Sequence, residues 1–300
     1  MTNSEKRTQK TGLAFISPWL IGFALFTAYP IAASLWYSLC EYRVLSPPKF
    51  VGLRNYTELF ADKDSFLPSL SNTAYMFLAI PLATVMAVGV ALLLNSRVKG
   101  MAAFRAVYYL PSVVPTVAGA MLWMWMLNPE HGLVNKGLAA VGLHGPEWLQ
   151  SAQWSKPALI MMDLWTVGSS VVIYLAALQG VPHHLYEAAE IDGAGPWRRT
   201  WHITLPSISP VIFFNLVLAV IGTFQYFTQP WLVTSVPPSQ PGQPANSTLF
   251  YSIYLFQNAF SFFRMGYACA MAFVLFLLTM LATLVVFKTS AKWVYYESAR

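Results

Sequence analysis

Of the 300 residues, 56% are hydrophobic, 15% aromatic and only 10% charged, against roughly 25% charged and 45–50% apolar in an average soluble domain. That balance excludes a soluble globular chain and predicts a polytopic membrane protein. The net charge of +6 comes from Lys and Arg scattered through short segments between apolar runs, so it reads as membrane-topology charge and not as a nucleic-acid surface.

A helix needs roughly 20 residues to cross the hydrocarbon core, and uninterrupted apolar runs predict six transmembrane helices, at about 13–38, 70–95, 103–127, 157–179, 207–232 and 266–288. Lys6, Arg7 and Lys10 before the first run are what a signal peptide would carry. Its apolar stretch is about twice a usual h-region, however, and no small-x-small cleavage site follows, so it reads as a retained span. Pro18, Pro30, Pro81, Pro111 and Pro115 lie in or near spans and predict kinks that neighbouring helices must cover. Cys40 and Cys269, far apart and without CxxC or Cys/His spacing, support neither a zinc site nor a disulfide framework.

Orientation follows from the basic residues. With the N-terminus in the cytoplasm, Lys6, Arg7, Lys10, Arg97, Lys99, Arg105, Arg198, Arg199, Lys288, Lys292 and Arg300 fall on that side, eleven of the 18. The other seven, Arg43, Lys49, Arg54, Lys63, Lys136, Lys156 and Arg264, are diluted over three long loops and mixed with Glu41, Glu58, Asp62, Asp64, Glu130 and Glu147. Both termini are therefore expected to be cytoplasmic, together with the 180–205 loop.

The fourth and fifth spans carry polar groups that could be wholly apolar. Trp165, Thr166, Ser169 and Ser170 lie in the fourth, and the fifth contains FQYFTQPW, with Phe224, Gln225, Tyr226, Phe227, Gln229 and Trp231. Aromatic faces beside amides and hydroxyls could form a polar surface toward a water-filled path, and the four-residue spacing of Gln225 and Gln229 predicts one shared helical face. The same residue types also pack membrane helices together, which is the alternative reading.

Between these spans runs EAAEIDGAGPWRRTWHITLP, Glu187 to Pro206. Pro182 suits a helix start, HHLYEAAEI has strong helix formers in its second half, and Asp192-Gly193 is a stop followed by a second break at Gly195-Pro196. The resulting helix, of roughly two to three turns, is too short to hold in water alone. Leu185, Ala188, Ala189 and Ile191 suit a groove on a partner protein, with Glu187 and Glu190 offering carboxylates. Trp197, Arg198, Arg199 and Trp201 read as an interfacial segment. A helix lying amphipathically on the bilayer would satisfy the same pattern.

No catalytic, metal or cofactor site is legible. The chain has no GxxxxGK[ST] phosphate cradle and no HExxH, and His183 and His184 stand without further ligands. Gly168-Ser169-Ser170 lacks the histidine, absent from every predicted span, that a nucleophilic serine needs.

The spacing EAA, three residues, Gly193, nine residues, then Ile203-x-Leu205-Pro206 resembles the cytoplasmic signature of ABC-importer permeases, and the match is complete at every signature position. The chain is more specifically similar to the carbohydrate-uptake branch, through SPWLIGFALFTAYPIAASLWYSL, VGLRNYTELF, SLSNTAYMF, FRAVYYLPSVVPTVAGAMLWMWMLNPEHGLVN and GYACAMAFVLFLLTM. One departure is visible: where family members often carry Gly-Gly-Pro after the fifth span, this chain has SVPPSQPGQPANST, from Ser235 to Thr248.

The resemblance implies an all-α type I ABC importer transmembrane domain, seated in the cell (inner or plasma) membrane. It divides the chain into 1–67 (cytoplasmic N-terminus, first span and outer loop), a core domain at 68–288 with a cytoplasmic coupling helix at 184–193, and a cytoplasmic tail at 289–300. It implies that Glu187, Ala188, Ala189, Asp192, Gly193, Ile203, Leu205 and Pro206 couple the chain to an ATPase. It places Trp165, Thr166, Ser169, Ser170, Phe224, Gln225, Tyr226 and Gln229 as candidates for the substrate path. The implied partners are a second homologous permease, two ATP-binding subunits, an extracytoplasmic solute-binding protein and membrane lipid, with no nucleic acid and no cofactor. The alternative function is an ion-gradient-driven secondary transporter or channel. Against it, Asp163 is the one plausible intramembrane acid, where such carriers show several ionisable groups.

Overall fold

The computed structural model describes residues 3–96, 98–234 and 242–295, with the backbone alone at 3–10. Arg97 from the basic-residue count, positions 235–241 of the outer loop and positions 296–300 of the tail, Arg300 included, lie outside the described residues.

Helices Thr11–Ser38, Phe66–Leu94, Pro196–Thr234 and Met265–Ser290 are each long and apolar enough to cross a bilayer. The other two expected spans are broken. Met101–Val113 and Thr116–Met126 meet at 98°, and Ser155–Trp165 and Gly168–Gln179 at 46°, so six crossings require each bent pair to count as one span. The sharper bend sits at Pro115, where Val114 takes extended geometry (φ −67°, ψ 127°), because the proline ring crowds the helical conformation of the residue before it.

The fifth span departs from expectation. Within the apolar stretch Pro196–Thr234 the regular helix Leu205–Phe224 ends before Gln225 (φ −100°, ψ 13°), and a new helix starts at Thr228. Pro230 gives the reason: in a continuous helix its ring would press on the carbonyl of residue 226 and leave that carbonyl without a donor. Gln225 and Gln229 therefore do not share one face of a regular helix.

The chain forms two compact units. One comprises Met1–Asp62 and Leu255–Phe276. Here a two-stranded antiparallel hairpin, Cys40–Arg43 with Ser46–Phe50, adds a small β element to the all-α plan. Asn55 anchors it, its Nδ2 donating to the Ser38 and Cys40 carbonyls at 2.8 and 2.9 Å. Arg264 pairs with Glu58 and lies 4.3 Å from the Tyr267 ring centroid. Gly266 is a close-approach glycine: a Cβ there would fall 2.0 Å from the Cys40 carbonyl oxygen.

The other unit comprises Lys63–Tyr254 and Leu277–Arg300. Its core is built from Ala87, Val88, Ala91 and Leu94 against Val171, Tyr174, Leu175 and Leu178, closed by Ile208. Small residues on one side and large on the other let the helix backbones approach closely. Gly168 extends this packing, since a side chain there would meet the Tyr108 carbonyl oxygen at 2.3 Å. Toward the loop side, Asn72 Nδ2 donates to the Asn246 and Leu249 carbonyls at 2.7 and 3.1 Å, and Lys156 Nζ donates to Asn72 Oδ1 at 3.0 Å. These bonds satisfy polar groups that would otherwise destabilise the buried site.

Candidate functional site

Two places in the second unit hold the residues singled out by sequence. The first is the segment after the fourth span. Its helix runs His183–Ile191, one residue earlier at the start and two shorter at the end than the expected 184–193, so Asp192 and Gly193 form the turn beyond it. Gly193 has φ +74°. Its N–H donates to the Glu190 carbonyl at 3.0 Å and the Ala194 N–H to the Ala189 carbonyl at 2.8 Å. This pair of bonds is a Schellman cap, which needs a left-handed residue where glycine alone avoids a Cβ penalty.

Glu187, Ala188 and Asp192 are exposed and Ala189 is half-buried. Glu187 holds the His183 ring at 3.1 Å, and Glu190 faces Arg199 at 3.5 Å across the turn. Ile203, Leu205 and Pro206 behave differently. Ile203 lies in a wide π-type turn, Thr200–Thr204, that leads into the next helix. Leu205 packs on the Ala87–Ile208 core, with Pro206 beside it in the first turn of Leu205–Phe224. The two ends are tied by Tyr186, whose hydroxyl lies 2.9 Å from Thr204 Oγ1.

The second place is a cavity of about 260 Å³ between the two bent pairs. Trp165, Thr166, Ser169 and Gln229 line it, from among the sequence candidates. Ser170, Phe224, Gln225 and Tyr226 do not. Phe224 is a packing residue, edge-on to Phe77 at 5.2 Å. Gln225 sits exposed in the helix break. Tyr226 acts from behind the wall, donating its hydroxyl to Gln229 Oε1 at 2.7 Å. Asp163 lies beside Tyr226 and Gln229, and the Tyr226 bond orients the Gln229 amide at the cavity edge.

Ser112, Thr116 and Trp123 also line the cavity and were missed by sequence reasoning. Trp123 is 8% exposed, stands edge-on to Trp165 at 6.0 Å, and its Nε1 has no hydrogen-bond partner. A buried N–H without a partner is uncommon, and here it belongs to a residue that lines open space. In the sequence it lies in WMWM, where nothing distinguishes it from a lipid-facing tryptophan; only the bend at Pro115 turns it toward Trp165. The arrangement offers aromatic faces, hydroxyls and one fixed amide, and no nucleophile–base pair. It can bind and orient a neutral polyhydroxyl compound.

Residues 79–293 match the family described as the binding-protein-dependent transport system inner membrane component, and the chain belongs to that family: it is a membrane permease. Over 300 residues it is 40% identical to the probable ABC transporter permease protein YesP of Bacillus subtilis (strain 168), covering 99% of this chain and 96% of that protein. It is 32% identical to the trehalose/maltose transport system permease protein MalF of Thermococcus litoralis, covering 94% of each. In fold it resembles a chain of the bacterial alginate ABC transporter solved in complex with an alginate pentasaccharide-bound periplasmic protein, with a TM-score of 0.84 at 24% identity over 96% of both chains.

Proposed function

We propose that this permease admits a sugar or related polyol and moves it inward by alternating access. ATP is hydrolysed on two separate subunits, substrate is delivered by an extracytoplasmic binding protein, and a second homologous permease completes the path. The trehalose/maltose permease relative supports the substrate class. The observation that carries it is the cavity, where Trp165 and Trp123 stand with Thr166, Ser169 and Gln229 around about 260 Å³. Sugars present apolar ring faces to aromatics and hydroxyls to donors and acceptors, and this set supplies both.

The His183–Ile191 helix supplies the coupling. Glu187, Ala188, Ala189, Asp192 and Gly193 face the ATPase, while Ile203, Leu205 and Pro206 root the segment in the membrane core. Nucleotide on one side and a loaded binding protein on the other then bias one two-state equilibrium. The core domain at 68–288 carries this machinery, with 1–67 and the 289–300 tail outside it.

The test is uptake of labelled trehalose, maltose and an amino-acid control into proteoliposomes holding the assembled complex. Sugar uptake that requires both ATP and the binding protein is expected. Uptake driven by an imposed ion gradient without ATP would instead assign a secondary transporter, and amino-acid uptake alone would remove the sugar assignment.

A further inference from the structure

The second unit contains two adjoining hollows apart from the cavity above. One, of about 650 Å³, is lined at its polar side by Asn95, Ser96, Arg105, Gln179, His183 and Tyr186. The other, of about 250 Å³, runs on from it between Tyr108 and Tyr109 on one helix and Gly168, Val171, Val172 and Leu175 on the other. Arg105 and Gln179 line both, so the two adjoin at these residues, one polar and the other mainly apolar.

Arg105 is the key residue. It stands on the apolar helix Met101–Val113, where an ionised side chain is expensive and is retained for a partner. Its Nη2 donates to the Leu94 carbonyl at 3.0 Å, but its Nε is buried without a partner. None of the residues lining either hollow is acidic; His183 at the rim is held by Glu187 at 3.1 Å. The cation therefore lacks a carboxylate where the hollows meet.

The apolar part has the dimensions of one leaflet. Its lining runs from Gly168 to Gln179, about 16 Å at ~1.5 Å per helical residue, or about half of the ~30 Å hydrocarbon core. Tyr108, Tyr109 and Val172 remain 45–46% exposed along it. A sugar could use Tyr108 and Tyr109 but gains nothing from the aliphatic wall of Val171, Val172 and Leu175. A soluble anion would use the Arg105 end alone.

We propose that this feature is a binding site for one anionic phospholipid, its headgroup phosphate at Arg105 and one acyl chain along the groove between Met101–Val113 and Gly168–Gln179. The inference goes beyond the transport reading and needs only that the chain spans a bilayer. A lipid held there touches Gln179 and His183, at the junction of the fourth span and the short exposed helix, so headgroup identity would bear on that junction.

The experiment is native mass spectrometry of the full chain in its complex, released from detergent containing equal phosphatidylglycerol and phosphatidylcholine. One phosphatidylglycerol retained with about a fivefold preference is expected, the factor given by ~1 kcal/mol per basic residue at ~1.4 kcal/mol per decade. Arg105→Gln should abolish the preference and Arg105→Lys should keep most of it. Val172→Trp, which fills the groove and leaves Arg105 intact, should remove the lipid. Equal retention of the two lipids by the wild-type complex would overturn the site without recourse to any variant, as would full retention in Val172→Trp. Loss of the preference on adding excess inorganic phosphate would assign a soluble anion instead. A lipid kept by the isolated chain and lost from the assembled complex would assign the groove to a protein interface. None of these outcomes depends on which substrate is carried.

Discussion

At one end of the 187–206 segment Ile191 is 88% exposed; at the other, Ile208, two residues past the segment, is 1% exposed and closes the core of three helices. Both are branched apolar residues in helices, yet one is surrounded by its own chain and the other is not. The rooted end needs only this chain to be satisfied. The exposed end, with Trp197 also 79% exposed, is the one that the proposed coupling role would place against an ATPase. Between them lie the Gly193 cap and the Tyr186–Thr204 contact, which the proposed coupling would use to carry motion from one end to the other.

Three substitutions sharpen that contrast, in falling order of effect on the chain itself. Ile208→Ala removes packing from a site with no slack and should destabilise the fold by about 2 kcal/mol or more. A clear drop in the melting midpoint of the purified complex in detergent is expected; an unchanged midpoint would mean that the core tolerates the void. Gly193→Val should cost about 1–2 kcal/mol locally, because a β-branched residue resists positive φ although no neighbour lies within 4 Å to clash with it. Its signature is weakened ATPase co-purification with near-normal membrane insertion. Normal retention with normal uptake would show that the turn does not require glycine. Ile191→Ser should leave stability within ~0.5 kcal/mol, as exposed positions do, while lowering ATPase-coupled uptake severalfold. If uptake per assembled complex stays at the wild-type level, the exposed end is not the docking face.

The helix His183–Ile191 was legible because its signals are local: a proline before it, good helix formers within it, and Asp-Gly after it. The boundary shifted by one or two residues since a cap, not composition, decides where the last turn stops. Thr166, Ser169 and Gln229 were legible as polar residues in apolar runs, a costly placement that marks them for notice. Trp123 was not, as a tryptophan in a membrane helix is ordinary until its surroundings are known. Gln225 was misread for the opposite reason: helical periodicity was extended across Phe224 to Thr228, and Pro230, four residues beyond Tyr226, ended it.

What the amino-acid order determined by itself was the environment and the repertoire: a chain that must bury its backbone bonds within helices because lipid offers none, with its exposed segments marked by charge, proline and glycine. Tertiary structure decided which of those helices break and what meets at the breaks. The 98° and 46° bends bring Trp123, Trp165 and Gln229 around one cavity from three separate stretches of chain. Arg105 was readable as a basic residue near a span end, but its unpartnered Nε and the apolar groove beside it exist only once Met101–Val113 packs on Gly168–Gln179. Hydropathy is a sum over neighbours in sequence and can be read there; a cavity is a gap between neighbours in space, and close packing of distant residues alone defines it.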